Sequence, residues 1–215
     1  MRKMVIFGAG SEIGKCLEES RSGQVVKISK NDSIFGLYND LLVKYLDGLF
    51  LDNSDIVYIS SVLYSKQAIE QNEAEGRISF NVNFRIPSIL INYLNTKSNN
   101  YNFCFVSSES ASKGSYDDTY AGMKRGVELL IEETKLQDKD SRIFAIAPST
   151  ISDAAMTTAR RDKDRLECYL KRHPKSRFLT SKEVAVLIND LMSTKYEYLS
   201  NTVVRLNGGK FARKG

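Results

Sequence analysis

The sequence predicts an α/β fold, a doubly wound parallel sheet between two layers of helices in a three-layer α/β/α arrangement. Three observations carry this expectation: short runs rich in Val, Ile and Phe recur along the chain, helix-period segments lie between them, and the first run breaks at a glycine turn that opens a helix. Near-continuous apolar strands suit a sheet covered on both faces, since strict alternation is needed only where one face is wet. The chain has 215 residues, is 42% hydrophobic and shows no composition break or Pro/Ser linker, so one domain is expected over 1–215.

The first strand is Lys3–Phe7 (KMVIF), ended by Gly8 and followed by Ile13, Cys16 and Leu17 at helical spacing. Further buried-strand runs are Gln24–Ser29, Ile56–Ser60, Asn102–Ser107, Arg142–Ala147 and Thr202–Leu206. Helix-period segments span Phe80–Thr96, Tyr116–Leu136 and Ser181–Met192. Residues 30–55 resist the pattern, because two right-handed crossovers plus an intervening strand need roughly 30 residues or more. Either Ile34–Tyr38 is a strand that has lost its preceding helix, or Leu37–Leu46 is a helix and an edge strand is missing; the first is preferred.

Several function classes lose support from composition. No run of about 18 apolar residues could cross a bilayer, and MRKMVIFGAG lacks the apolar stretch of a secretory signal, so a cytoplasmic protein that avoids membranes is expected. Cys16, Cys104 and Cys168 are widely spaced and form no C-x-x-C, which supports neither a disulfide framework nor a zinc site. The one histidine, His173, sits in KRHPK, a poor setting for a Ser-His-Asp triad or a His-based metal centre. The net charge of +5 is concentrated in Arg160–Arg177, where eight Lys/Arg meet only Asp162, Asp164 and Glu167. One short stretch with a single aromatic, Tyr169, does not make the broad basic, stacking surface of a nucleic-acid binder.

Chemistry-bearing residues group in three places. In FGAGSEIGK, Gly8, Gly10 and Gly14 follow a strand and open a helix, where backbone amides can receive a pyrophosphate. The spacing is one residue longer than the usual dinucleotide fingerprint, and a plain structural turn fits it equally. At the end of the second strand, Ser29 and Lys30 precede Asp32; a cation there suits a 2′-phosphate, so NADP(H) is favoured over NAD(H). Tyr120 and Lys124 in TYAGMKRG share one side of a helix, and an ammonium beside a phenol stabilises the phenolate and makes it a usable acid or base. Spacing alone fits an ordinary helix surface as well.

The chain resembles the short-chain dehydrogenase/reductases, whose fold is Rossmann-type. Their Tyr-x-x-x-Lys matches Tyr120 and Lys124, and their catalytic serine matches Ser108 in FVSSES, with Ser107 as the fallback. NVNFRIP is similar to the family's Asn-containing helix, placing the asparagine at Asn83. RIFAIAPSTISDAAMTT looks like the nicotinamide-contacting segment, here Pro148, Ser149, Thr150 and Ile151, while FLTSKEVAVLI and VVRLNGGKFA look like the last helix and strand. The resemblance implies an NAD(P)(H)-dependent oxidoreductase moving hydride to or from a carbonyl or secondary alcohol. Tyr120 would pass the proton, Ser108 would bond the substrate oxygen, Lys124 would hold the nicotinamide ribose and depress the tyrosine pKa, and Asn83 would anchor a relay water. The cofactor would rest on Gly8, Gly10, Ser11, Glu12, Ile13 and Gly14, with Ser29, Lys30, Ser60 and Ser61 on its adenosine side.

Departures mark a divergent chain. Glu12 stands where the family has its middle glycine, Ile59-Ser60-Ser61-Val62 replaces Asn-Asn-Ala-Gly, Ser149 replaces a glycine, and the sheet is shortened between the second and fourth family strands. Residues 153–178 would form the substrate lid; its Arg160, Arg161 and Arg165 suit an anionic small-molecule substrate, although local pairing with the three acids fits too. A nucleotide-sugar epimerase or dehydratase, and a catalytically silent NAD(P)-sensing regulator, are the alternatives on this fold. A homodimer or homotetramer is expected through the two long helices, with Ile86, Ile89, Leu90, Tyr93, Val127, Leu130 and Ile131 available unless the core takes them.

Overall fold

A computed structural model of the chain describes residues 2–30, 32–160 and 162–212. Six strands, β1 (Lys3–Phe7), β2 (Val25–Ile28), β3 (Ser54–Tyr58), β4 (Asn102–Val106), β5 (Arg142–Pro148) and β6 (Thr202–Leu206), form one parallel sheet in the order β2-β1-β3-β4-β5-β6. The chain moves outward from β1 to β2 and returns to β3 on the other side of β1. Strand order therefore reverses between β1 and β3, and such a reversal opens a crevice at the strands' carboxyl ends.

The helices are α1 (Glu12–Glu19), α2 (Asn39–Asp47), α3 (Glu73–Phe80), α4 (Ile86–Lys97), α5 (Ser110–Lys113), α6 (Asp118–Glu133), α7 (Ala155–Thr158), α8 (Lys163–Arg172) and α9 (Ser181–Leu191). Successive strand residues point to opposite faces. Val5, Phe7, Ile56, Tyr58, Phe103 and Phe105 pack with Leu42, Leu46, Ile86, Leu90, Val127 and Ile131 of α2, α4 and α6. Met4, Ile6, Val57, Cys104, Phe144 and Ile146 pack with Ile13, Leu17, Val184 and Ile188 of α1 and α9. All six strands fall within the expected runs or within two residues of them.

The expected strand over Ile34–Tyr38 is overturned. Residues Ser33–Gly36 make a 3-10 turn and α2 follows, so the alternative of a helix with a missing edge strand is what forms. The physical reason is that Leu42 and Leu46, one helical turn apart, are both buried against the core layer that contains α4. Arg85 braces the entry by donating to the Leu37 carbonyl at 2.7 Å, and Tyr93 of α4 donates to Asp47 at 2.9 Å. The expected helix at Phe80 starts earlier, at Glu73, because Asn72 and Glu75 form a capping box: Asn72 Oδ1 accepts from the Glu75 amide at 3.0 Å and Glu75 Oε2 from the Asn72 amide at 2.9 Å. Between α3 and α4, Asn81–Arg85 widens into a π turn.

Three rings run across adjacent strands. Phe7 and Tyr58 stack at 5.7 Å between centroids, and Tyr58 and Phe105 at 6.0 Å. The Tyr58 hydroxyl, fully buried, donates to the Val82 carbonyl inside the π turn at 2.6 Å. At the opposite end of the sheet, Asp55, Asn102 and Arg142 lie in register on β3, β4 and β5: Asn102 Nδ2 donates to Asp55 at 2.7 Å and Arg142 Nε to Asn102 at 2.9 Å. Arg142 also donates to the Leu191 and Met192 carbonyls where α9 ends, at 3.3 Å each. Replacing Tyr58 with Phe keeps the stack but strips the Val82 carbonyl of this donor; the expected cost is about 1–3 kcal/mol, read as a lower urea midpoint with an unchanged slope.

Candidate active site

The glycine turn is built by sterics. Gly8 has φ of +99°, and a β-carbon there would lie 2.7 Å from the Ser60 amide nitrogen, so only glycine fits between β1 and the segment after β3. Ser11 caps α1, accepting from the Gly14 amide at 3.1 Å while its hydroxyl donates to the Gly8 carbonyl at 2.8 Å. Gly14 presses on Ala9, where a β-carbon would come within 2.7 Å of the Ala9 Cα, and Ile13 is buried in the core. Above Gly10, nothing lies within 4 Å of the β-carbon position, which leaves the turn open on its outer side. The Glu12 carboxylate pairs with Lys15 at 2.6 Å, one turn along the helix, and this partner raises the Lys15 pKa.

At the tip of β2, Asp32 folds back on Ser29: its Oδ2 accepts from the Ser29 amide at 2.6 Å and from the Ser29 hydroxyl at 3.1 Å. Lys30 beside it is exposed. Two opposite charges thus flank the position that the sequence assigned to the adenosine ribose.

Tyr120, Lys124 and Ser108 are brought together at the carboxyl end of β4. Tyr120 is 6% exposed, and the hydroxyls of Ser108 and Ser61 stand within hydrogen-bonding reach of its phenol. Burial raises the Tyr120 pKa above its ordinary value, and the two hydroxyls only partly offset the rise. The expectation that Lys124 would depress it is not what governs the phenol here: Lys124 Nζ is turned inward, donating to the Val106 carbonyl at 2.8 Å and lying 4.5 Å from the Phe105 ring centroid and 5.8 Å from that of Tyr120. Desolvation brings the Lys124 pKa down to about 7, with Glu128 acting in the opposite direction. Ser107, the fallback serine, is 4% exposed and gives its hydroxyl to Glu128 at 2.6 Å, so Ser108 is the serine that faces the phenol.

Asn83 is completely buried in the π turn. Its Oδ1 accepts from the Ser61 hydroxyl and the Val62 amide, both at 3.0 Å, and its Nδ2 donates to the Val62 carbonyl at 2.7 Å and Ser79 Oγ at 3.1 Å. An amide side chain has two donors and two acceptor sites, so this full complement makes Asn83 a clamp on residues 61–62 and leaves its side chain no capacity for a relay water. Ser61 accordingly lies at the phenol instead of on the adenosine side, whereas Ser60 backs the glycine turn, its amide donating to the Phe7 carbonyl at 3.0 Å.

Two residues that sequence reasoning missed hold the helix of Tyr120. Asp117, fully buried, caps α6 by accepting from the Tyr120 amide at 3.1 Å, and it also accepts from the Tyr64 amide at 2.9 Å, Gln71 at 3.0 Å and Thr119 at 2.7 Å. Its position, an Asp directly before a helical run, was a readable cap signal. Glu128 is the other; its place four residues after Lys124 was the available clue.

The segment after β5 leaves and returns at one point. Ile151 bridges Leu179, the Ser152 amide donates to the Leu179 carbonyl at 2.8 Å, and Asp153 accepts from the Ser181 amide at 2.9 Å. Pro148 ends β5; its carbonyl accepts from the Glu109 amide at 2.9 Å, and the Thr150 carbonyl accepts from Leu179 at 3.1 Å. Ser149 Oγ is buried with no hydrogen-bond partner. In the excursion, Arg160 pairs with Asp162 at 2.6 Å, and Arg160, Arg165 and Lys210 lie 5.8, 5.7 and 5.8 Å from the Tyr169 ring centroid. Lys210 also pairs with Glu109, the neighbour of Ser108, at 2.6 Å. Arg161 lies outside the described residues. No group of three or more His, Cys, Asp or Glu among the described residues could hold a metal, and His173 Nδ1 accepts from the Lys175 amide at 3.2 Å.

No protein-family model matches the chain, and no curated protein matches it. Solved structures do. A short-chain dehydrogenase/reductase, described as a glucose/ribitol dehydrogenase, from Brucella melitensis superposes with TM-score 0.81 at 16% identity, over 99% of this chain and 97% of its own. A 3-oxoacyl-[acyl-carrier protein] reductase with bound NAD from the same organism gives 0.75 at 18%, over 97% and 90%. A candidate NAD(P)-dependent gluconate 5-dehydrogenase with bound NADP from Beutenbergia cavernae gives 0.80 at 19%, over 99% and 97%. Superposition at TM-scores of 0.75 to 0.81 with coverage of 90% or more on both sides gives this chain the fold of the short-chain dehydrogenase/reductases.

Proposed function

We propose that the chain is an oxidoreductase of the short-chain dehydrogenase/reductase type, moving hydride between a nicotinamide dinucleotide and a carbonyl or secondary alcohol. The observation that carries this reading is the buried phenol of Tyr120 with Ser108 and Ser61 at its oxygen and Lys124 one turn away, at the end of the sheet where the glycine turn opens. The residues present fit the cofactor on two counts: the turn is open above Gly10, and Ser149 Oγ is a buried polar atom without a partner. Gly8, Gly10 and the capped start of α1 would hold the pyrophosphate, and Pro148 to Ile151 the nicotinamide end. When bound, the nicotinamide supplies or takes the hydride. Solved structures of the same fold with NAD or NADP bound support this class of cofactor.

The protein's own part is acid and base work. Because burial keeps Tyr120 protonated at neutral pH, its phenol is ready to give a proton to a carbonyl oxygen as hydride arrives at carbon, yielding the alcohol. Ser108 orients that oxygen, and Ser108 with Ser61 stabilises the phenolate left behind. Tyr120→Phe should lower turnover by roughly 100-fold or more while the cofactor still raises the melting temperature; thermal shift and a carbonyl panel read the two effects separately. If nicotinamide cofactors gave no thermal shift with the unmutated chain, the enzyme reading would fail; a shift without turnover over a broad panel would favour the sensing regulator.

For the cofactor, the proposal is NADP(H) over NAD(H). Lys30 supports it and Asp32 opposes it, so Asp32→Asn should strengthen NADPH binding and Lys30→Ala should weaken it, each by about threefold to tenfold for a change of roughly 1 kcal/mol. Tighter binding of NADH than NADPH by the unmutated chain would reverse the assignment.

The substrate is proposed to be anionic, with residues 153–178 as its lid. Three cations converge on Tyr169 against two carboxylates, Asp162 and Glu109, and Lys210 links this cluster to the residue after Ser108. Replacing Arg160 and Arg165 with Gln should raise KM for an acidic carbonyl compound much more than for a neutral one; equal effects would remove the anion from the proposal. Pairing of two chains is proposed through the α3, α4 and α6 side. Ile86, Leu90, Tyr93, Val127 and Ile131 are taken by the core, which leaves Ile78, Phe80, Leu129 and Leu130 exposed there.

A further inference from the structure

Tyr120, Lys124 and Glu128 lie at successive turns of one face of α6, and all three are buried, at 6, 1 and 0% exposure. Four residues make slightly more than one helical turn, so the three side chains form a column facing β4. The first two belong to the proposed reaction; the third has no role in it so far.

A carboxylate with no exposure is costly unless charge and hydrogen bonds compensate it. Glu128 has both. Its Oε1 accepts from the Ser107 hydroxyl at 2.6 Å, and its Oε2 accepts from Arg125 Nη1 at 3.2 Å. Arg125 is shared with a second carboxylate, Glu132, at 3.1 Å and is 38% exposed on its side chain, so it cannot neutralise Glu128 alone. Arg125 and Lys124 together balance Glu128 and Glu132 only when Lys124 bears its proton. Among the described residues, Lys124 also meets the Phe105 ring and Val106 carbonyl on β4 and the Tyr120 phenol on α6, none of them charged at neutral pH.

We propose that Glu128 is the counter-charge of Lys124, extending the Tyr-x-x-x-Lys pair into a buried Tyr120–Lys124–Glu128 column, and that it serves as a positioning residue acting through Lys124. The same carboxylate fixes Ser107, the residue preceding Ser108, so one side chain sets both the charge of the lysine and the end of β4. This inference rests on the oxidoreductase reading for its catalytic meaning, but the charge coupling stands apart from turnover. Burial alone disfavours the ammonium, and Glu128 is the acidic group that opposes this.

The experiment is a titration of Lys124 by NMR of its side-chain Cε and Nζ in the full chain, comparing the unmutated protein with Glu128→Gln, Glu128→Asp and Arg125→Gln. Loss of the charge in Glu128→Gln should lower the Lys124 midpoint by about one pH unit, Glu128→Asp should restore most of it, and Arg125→Gln should raise it. In a turnover assay, the basic limb of the kcat/KM profile should move down by the same amount in Glu128→Gln. Should Glu128→Gln not fold, Glu128→Asp and the half-exposed Arg125 position still decide the matter. An unmoved Lys124 midpoint in Glu128→Gln, or in Arg125→Gln if the former does not fold, overturns the proposal. A moved midpoint in a chain without turnover leaves the coupling intact and overturns only the oxidoreductase reading.

Discussion

The stacked rings of Phe7, Tyr58 and Phe105 tie the sheet to the site. They lie on three neighbouring strands at the face covered by α4 and α6, and the middle ring and one end of the row each bear on the site. Tyr58 sends its hydroxyl to the π turn that contains Asn83, and Phe105 offers its ring to the Lys124 ammonium at 4.5 Å. An ammonium over an aromatic face gains from the ring quadrupole, more so when desolvated. Parallel strands buried on both faces need large apolar side chains, and here the same side chains position two helices of the candidate site.

Around that row the site balances burial against charge. The Tyr120 phenol loses water and rises in pKa, while Lys124 loses water and falls to about 7. In isolation each change would leave a neutral pair. Ser108 and Ser61 act on the phenol, Glu128 acts on the lysine, and Asp117 holds the start of the helix that presents them. Every one of these groups is supplied by a different neighbour: the tip of β4, the segment after β3, the next turn along the same face of α6, and its cap.

The departures from the sequence pattern that the chain resembles acquire physical meaning. Where Asn-Asn-Ala-Gly is replaced, Ser61 and Val62 are clamped by three of the four hydrogen-bonding sites of Asn83, the fourth going to Ser79, so a different set of polar contacts steadies the segment after β3. Glu12 in place of glycine is accommodated at the first residue of α1, where the helix dipole favours an acid and Lys15 pairs with it. The shortened region after β2 keeps the helix that covers the core and omits the strand, which leaves β2 at the sheet edge.

The sequence by itself determined the six strands, the glycine turn and the helix that puts Tyr120 and Lys124 on one side, because strand runs, glycine punctuation and helical spacing are local properties of neighbouring residues. Its preference for a strand at Ile34–Tyr38 failed for want of one long-range fact, the burial of Leu42 and Leu46 in the layer shared with α4. Tertiary structure alone decided that Ser107 belongs to Glu128 and Ser108 to Tyr120, that Asn83 is saturated by residues 61–62 and Ser79, and that Asp32 folds onto Ser29. Among these, the Ser107–Glu128 pairing and the hold of Asn83 on residues 61–62 join positions about twenty apart, and the directions of pKa shift depend on how much water the packed fold removes, a quantity that no stretch of sequence contains.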